Sequence, residues 1–340
     1  MVKKTVLEQA VENGLLQPSQ VDPLYNYLQE HSSSRFNLTH VLYYFGGFVA
    51  IGALTLFMNL GWEQFGGWGI VGICAVYLCV AALLMQCMNR LHYDVPASLC
   101  GLFIVALIPL AVYGGQQALG MWPEDKNFQN LRFGFDDLTI MMEGTALLAG
   151  VLVLSVYRRP LQTLPITLAL WFLSLSVTSL VYGEEFDWGN RSLVTMWFGL
   201  AMVLVAFGTD IATRKSRDYA FWFYLVGVVT FWGGLTSQSS DSELSKFFYF
   251  CLNLGLIGCG VVLLRKIFVI AGAAGSFIYL MHMADRVFKD SWLFPVALTI
   301  AGLGIVWLGI LWQKHEQQIS ASLQSRLPKV LQELLVQRRN

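Results

Sequence analysis

The chain alternates long apolar runs with very short polar interruptions, and that alternation is its main structural signal. Ten runs approach 20 residues each, over approximately 41–60, 68–88, 97–119, 138–157, 161–182, 191–209, 218–236, 246–264, 267–284 and 291–312. At ~1.5 Å per residue each is long enough to cross ~30 Å of hydrocarbon as a helix. A β-barrel would instead show short segments of alternating polarity. The pattern therefore predicts an all-α integral membrane protein of about ten transmembrane helices.

The flanking segments follow a different rhythm. Val6, Leu7, Ala10 and Val11 share one helical face, and Asn13-Gly14 supplies a stop signal. Leu15, Leu16, Val21, Leu24, Tyr25 and Leu28 mark a second short helix after Gln17-Pro18-Ser19. Residues 1–36 thus read as a helical hairpin and linker, either a cap on the membrane surface or a docking element for a cytoplasmic protein. After the bundle of 37–312, residues 313–340 carry an apolar stripe from Ile319 to Leu335 beside Arg326, Lys329, Arg338 and Arg339. That tail reads as an amphipathic helix on an anionic leaflet or on the N-terminal hairpin.

Composition agrees with the pattern. The 340 residues are 56% hydrophobic and 13% charged, whereas soluble domains hold about 25% charged residues. Net charge is zero, but its distribution orients the chain. With the N-terminus cytoplasmic, the outer segments hold only Lys126, Arg132, Arg191, Lys246, Arg286 and Lys289. The other Lys and Arg, among them Arg90, Arg158, Arg159, Arg265 and Lys266, fall inside, as the positive-inside rule requires. Both termini are then cytoplasmic. Trp62, Trp68, Trp122, Trp188 and Trp292 lie near outer helix ends, where amphipathic rings prefer the headgroup layer.

Soluble-enzyme signatures are absent: no phosphate-binding glycine loop, no G-x-S-x-G, no H-E-x-x-H and no Cys/His zinc spacing. No cofactor or metal is implied, and no basic patch with interleaved aromatics suggests nucleic acid. The small residues inside spans, such as Gly255, Gly258 and Gly260 or Ala271, Gly272 and Gly275, suit close packing within one bundle better than a dimer interface.

Buried polar residues are what remains. Glu143 falls about five residues into the fourth span, ~7–8 Å below the outer interface. An ionised carboxylate there costs ~2.5–3.5 kcal/mol on insertion scales, so it needs a proton, a partner or water. His282 near the end of the ninth span, Gln116 and Gln117 closing the third, and Asn59 closing the first share that depth. These five are the candidate residues for binding a solute or a proton in an outward-facing cavity. In the competing structural reading, Glu143 only bonds across helices and His282 is hydrated. The Ser174, Ser176, Thr178 and Ser179 group suits helix packing better than a site. Pro109 interrupts the third span and frees a carbonyl near Val105.

Several stretches together resemble a known family. These are "EQAVENGLLQPSQVDPLYNYLQ", "FGGFVAIGALTLFMNLGWE", "VYGGQQALGMWP", "YAFWFYLVGVVTFWGGL" and "YLMHMADRVFKDSWLFPVALTIAGLGIVWLGILWQ". The chain is similar in them to a family of bacterial inner-membrane proteins known only as a domain of unknown function. The resemblance implies the bacterial inner membrane and the same multi-span layout, and assigns no activity and no site residues.

Two functional classes follow from the residues. One is a small-solute or proton-coupled transporter with a polar site open to the outer, periplasmic side. The other is a non-catalytic scaffold or sensor that docks partners through its hairpin and tail. A lipid-directed enzyme is a weaker third, since Glu143 and His282 come with no nucleophile. An inverted five-plus-five repeat would favour transport, but residues 41–182 and 191–312 show no convincing similarity.

Overall fold

A computed structural model describes residues 14–25, 38–122, 137–183, 187–213, 218–238 and 242–283, with isolated positions at 7, 11, 296, 299, 302, 303 and 307. Every long element among them is an α-helix: α1 (Leu38–Arg90), α2 (Asp94–Ala118), α3 (Asp137–Val156), α4 (Thr163–Tyr182), α5 (Trp188–Ala212), α6 (Ala220–Thr236), α7 (Glu243–Leu263) and α8 (Lys266–His282).

Six helical stretches are long and apolar enough to cross a bilayer: Phe65–Arg90, Asp94–Ala118, Leu138–Val156, Pro160–Tyr182, Trp188–Ala212 and Glu243–Leu263. The chain is a multi-pass membrane protein. α6 and α8 are apolar but shorter, 17 residues each, which is ~25 Å of helix. These eight stretches match the second to ninth expected spans. The first lies within α1, where most side chains are outside the described residues. The tenth is described only at its isolated positions, all helical, and the tail of 313–340 lies outside the described residues.

The outward faces agree with lipid as the solvent. Leu148, Leu152, Leu204, Ile270 and Phe277 all stand exposed on helix surfaces. A soluble monomer does not tolerate that much contiguous apolar surface, whereas a bilayer needs it.

The apolar pattern predicts a loop between the first two spans, near Trp62–Gly67. Instead the helix continues and breaks at one residue, Gly66, at φ 58° and ψ −179°. Only glycine adopts that backbone without steric cost. α2 similarly runs through Pro109 without ending. At the N-terminus, Gly14 adopts φ 71°, as the expected stop requires, and a 3-10 turn at Pro18–Gln20 precedes helical residues 21–25. Leu7 and Val21 are both buried.

The described helices pack mainly as antiparallel neighbours: α1 with α2, α3 with α4, α5 with α6, and α7 with α8, with α2 also against α3 and α6 against α8. Glycines set several of these contacts. A Cβ on Gly234 of α6 would lie 2.6 Å from the Met196 nitrogen and the Ser192 oxygen of α5. One core cluster gathers Ala206, Ala220, Tyr224, Val228, Phe268 and Ala271 from α5, α6 and α8. Another joins Ile70 and Cys74 of α1 to Leu107 of α2.

Candidate functional site

Antiparallel packing brings α1's end, the α3–α4 connection, the start of α6 and the α7–α8 connection to one end of the bundle. Arg90, Arg158, Arg159, Arg265 and Lys266 gather there. The sequence places these arginines in the short connections between spans. Arg159 and Arg265 are largely buried there, their side chains only 9% and 10% exposed.

Each arginine holds the start of another hairpin. Arg159 donates from Nη1 to the Asp94 carboxylate and, at 3.0 Å, to the Asp94 carbonyl, and from Nη2 to Asn89 Oδ1. Arg265 donates to both Asp218 oxygens and to Asp210 at 3.3 Å, and it sits 5.0 Å over the Tyr224 ring. Burial works against its charge. The Asp218 hydrogen bonds and the charges of Asp218 and Asp210 outweigh that and hold its pKa above the ordinary guanidinium value. Tyr219 joins the two clamps by donating its hydroxyl to the Arg158 carbonyl.

The candidate residues named from sequence lie toward the opposite end, and they divide between two places. Glu143 on α3 pairs with α4: Ser176 Oγ donates to its Oε1 at 2.9 Å. Its other oxygen, Oε2, is buried with no hydrogen-bond partner. Ser176, set aside from sequence as a packing residue, is both fully buried and the direct partner of Glu143.

Gln116 braces the same end. Its Nε2 donates to the Leu138 carbonyl at 3.1 Å, and its Oε1 accepts from Trp122 Nε1 at 3.1 Å. The tie fixes the end of α2 to the start of α3, close to Glu143 along the chain. Gln117, its neighbour, has a buried Oε1 without a hydrogen-bond partner. The side chain of Asn59 lies outside the described residues.

His282 is not brought to Glu143. Its Nε2 lies 3.4 Å from Glu243 Oε1, which also accepts from Lys246 Nζ at 2.7 Å. His282 and Lys246 line a cavity of about 390 Å³ between α6, α7 and α8, together with Thr236, Gln238 and Tyr249. The Thr236 and Tyr249 hydroxyls are 3.0 Å apart. Depth along the helices placed Glu143 and His282 at one level, but the order of helices around the bundle separates them.

Two buried polar side chains escaped sequence reading. Asn253, halfway along α7, is fully buried, donates to the Tyr249 carbonyl at 2.8 Å and leaves Oδ1 without a partner. It packs into a notch made by Gly272 and Gly275 of α8. Gln162, also fully buried, donates to the Ser98 carbonyl at 2.8 Å and fits against Gly101. Each notch is made of glycines on another helix, and that correspondence was the signal available in sequence.

Among the described residues no group of three His, Cys, Asp or Glu side chains could hold a metal ion. No family model, curated protein or solved structure matches this chain at a significant level.

Proposed function

We propose that this chain is a bacterial inner-membrane carrier of a small solute or of protons, with Glu143 as its proton- or cation-accepting group. Both termini are cytoplasmic in this reading, and the site opens to the outer side. The carrying observation is the half-satisfied carboxyl of Glu143. One oxygen is held by Ser176 while the other is buried without a donor. Burying a polar atom without a partner is costly, and more so in hydrocarbon. A proton or a small cation would complete the group, and its release would leave the acid ready for the next.

The arrangement around it suits such a role. The buried arginine clamps close the basic end, which the positive-inside rule assigns to the cytoplasm. The acid lies toward the other end. Gln116, Gln117, Asn59 and His282 are the accessory residues of this reading, with His282 in its own polar cavity.

The non-catalytic scaffold is favoured by one observation, the buried Leu7 and Val21 of the N-terminal element. One experiment separates the two. The full chain is reconstituted in liposomes carrying an internal pH dye, and proton entry is followed under an imposed gradient with and without added amino acids, sugars and carboxylates. The carrier predicts a protein-dependent flux lost in Glu143→Gln with the fold retained. A folded protein that gives no flux with any of them, or an unchanged flux in Glu143→Gln, rejects it. The scaffold predicts that Glu143→Gln is tolerated in cells while deletion of residues 1–35 abolishes function.

A further inference from the structure

The cavity between α6, α7 and α8 holds an ammonium and a carboxylate at its mouth, and the two answer each other. Lys246 Nζ donates to Glu243 Oε1 at 2.7 Å, and His282 Nε2 lies 3.4 Å from the same oxygen. A charged solute entering here would lose water without gaining a counter-ion.

Hydroxyls, an amide and aromatic rings supply the rest of the polar chemistry and the walls. Thr236 and Tyr249 share a hydrogen bond of 3.0 Å, which uses one of their two hydroxyl hydrogens and leaves the other to donate. Gln238 adds an amide, while the rings of Phe248 and Tyr279 form walls. Tyr279 is braced by stacking on Phe250, with ring centroids 4.9 Å apart and planes at 25°. Apolar walls with a few placed polar groups are the usual form of a small-molecule site.

The floor adds an independent observation. One helical turn below Thr236, Tyr249 and Tyr279 stand Trp232, Asn253 and Ser276, spaced by three or four residues and so on the same helix faces. Trp232 Nε1, Asn253 Oδ1 and Ser276 Oγ are all buried with no hydrogen-bond partner among the described residues. A tight seal in hydrocarbon would place apolar side chains here, because every unpaired polar atom is costly. All three lie ~15–18 Å from the first residues of their helices, about half of a ~30 Å core. The polar lining thus continues from the mouth to the middle of the helices.

We propose that this cavity binds a small neutral polyhydroxylated solute of the monosaccharide class. Hydroxyl groups both donate and accept, which the lining and floor require. Trp232 offers only a donor, Asn253 Oδ1 only an acceptor, and Thr236, Tyr249 and Ser276 either. The aromatic walls suit the C–H faces of such a solute, and the matched charges at the mouth suit its neutrality. The site is separate from Glu143 and is read by binding rather than flux, so it and the carrier reading can fail independently.

The test uses the full-length protein in a detergent without sugar groups. Glucose, mannitol and myo-inositol are titrated separately, with glucuronate and glucosamine as charged counterparts, and binding is read by saturation-transfer NMR. At least one neutral solute should saturate, binding about fivefold or more tightly than either charged compound. Tyr249→Phe keeps the ring and removes the hydroxyl, so affinity should fall about fivefold, the effect of one hydrogen bond. Ser245 lines the cavity and is exposed. Ser245→Trp should therefore block the mouth and abolish saturation while leaving the unfolding temperature unchanged. Absence of saturation by all three neutral solutes overturns the proposal, as does equal affinity for a charged one. Unchanged affinity in Tyr249→Phe or undiminished binding in Ser245→Trp also overturns it.

Discussion

Arg265, at the start of α8, grips Asp218, just before α6, through both terminal nitrogens, with Nη2 2.8 Å from Oδ1. Arg159 likewise holds Asp94 at the start of α2, but through Nη1 alone, while its Nη2 donates to Asn89. In both cases a connection between two helices reaches back to the entry of an earlier helix. The chain therefore carries one device twice, in α1–α4 and again in α5–α8, at the same end of the bundle. The two units are not copies. α2 packs against α3 in the first, while α6 packs against α8 in the second. The shared feature is a buried guanidinium that pins a helix start.

Removing Arg265 should be costly because Asp210 is also largely buried beside it. A fully buried pair loses 3–5 kcal/mol when one partner goes. Asp218 is half-exposed, so the expected loss for Arg265→Gln is about 2 kcal/mol. A double-mutant cycle with Asp218→Asn, read by thermal unfolding in detergent, should return a favourable coupling. Additive single effects would mean the clamp is incidental.

The clamp also has a pH signature. Arg265 has its folded pKa raised, so its stabilisation is complete below the ordinary guanidinium value and is lost only as pH rises through the higher folded one. That loss lies beyond accessible conditions. Arg265→Lys places there an ammonium of ordinary pKa about 10.4. Its stabilisation is then complete below about pH 10, and its unfolding temperature should fall more steeply than the native protein's as pH rises above that. Parallel curves would contradict the assignment.

At the glycine seam, Gly234→Ala should force α5 and α6 apart, since the new Cβ meets backbone at 2.6 Å. Overpacking of this kind costs about 1–3 kcal/mol. Gly233→Ala, with open space around it, should be neutral or stabilise by up to about 1 kcal/mol through helix propensity. Unfolding midpoints of the two variants, measured side by side, decide it. Equal effects would place both glycines in the same environment.

These contrasts also show what the sequence could disclose. The helical bundle was legible because each span is an unbroken apolar run closed by charge, and length against bilayer thickness leaves few alternatives. The place of Glu143 in the second turn of its helix was legible for the same reason. Its partner was not. Position along a helix follows from counting residues, but position around the bundle depends on which helices are neighbours. Hence His282 turned to Glu243 on α7, and Ser176, one of several hydroxyls in α4, met Glu143. The partners of Arg159 and Arg265 were hidden because their acids lie 65 and 47 residues away. Asn253 was hidden as a lone amide in an apolar run, and only the glycine notch of α8 gives it a place.

The Glu143–Ser176 pair yields a prediction that separates stability from function. Ser176→Ala removes the one hydrogen bond described for the carboxyl, and bonds to such groups contribute about 1.5–3 kcal/mol. The variant should unfold at lower temperature yet retain proton flux if Glu143 is the exchanging group. Glu143→Gln should behave in the opposite way. Its amide oxygen can still accept from Ser176, so stability should hold to within about 1 kcal/mol while flux disappears. Paired unfolding and flux measurements on the two variants read this directly. If Ser176→Ala also abolishes flux without unfolding the protein, Ser176 belongs to the ion's path. If both variants lose only stability, Glu143 is a packing device and the carrier assignment fails.

The orientation of the bundle can be tested on α2, whose two ends carry exposed leucines outside the helix. Leu91 precedes it at the basic end and Leu119 follows it at the opposite end. Single cysteines at these positions, in a background with the six native cysteines replaced, should react with a membrane-impermeant maleimide on opposite sides. In intact cells in which the reagent reaches only the outer face of the protein's membrane, Leu119→Cys should label and Leu91→Cys should label only after lysis. Five described basic residues at the Leu91 end favour that outcome, since cationic connections resist translocation. The reverse pattern would turn the molecule over. Glu143 would then face the cytoplasm, and a site filled from outside would give way to one filled from within.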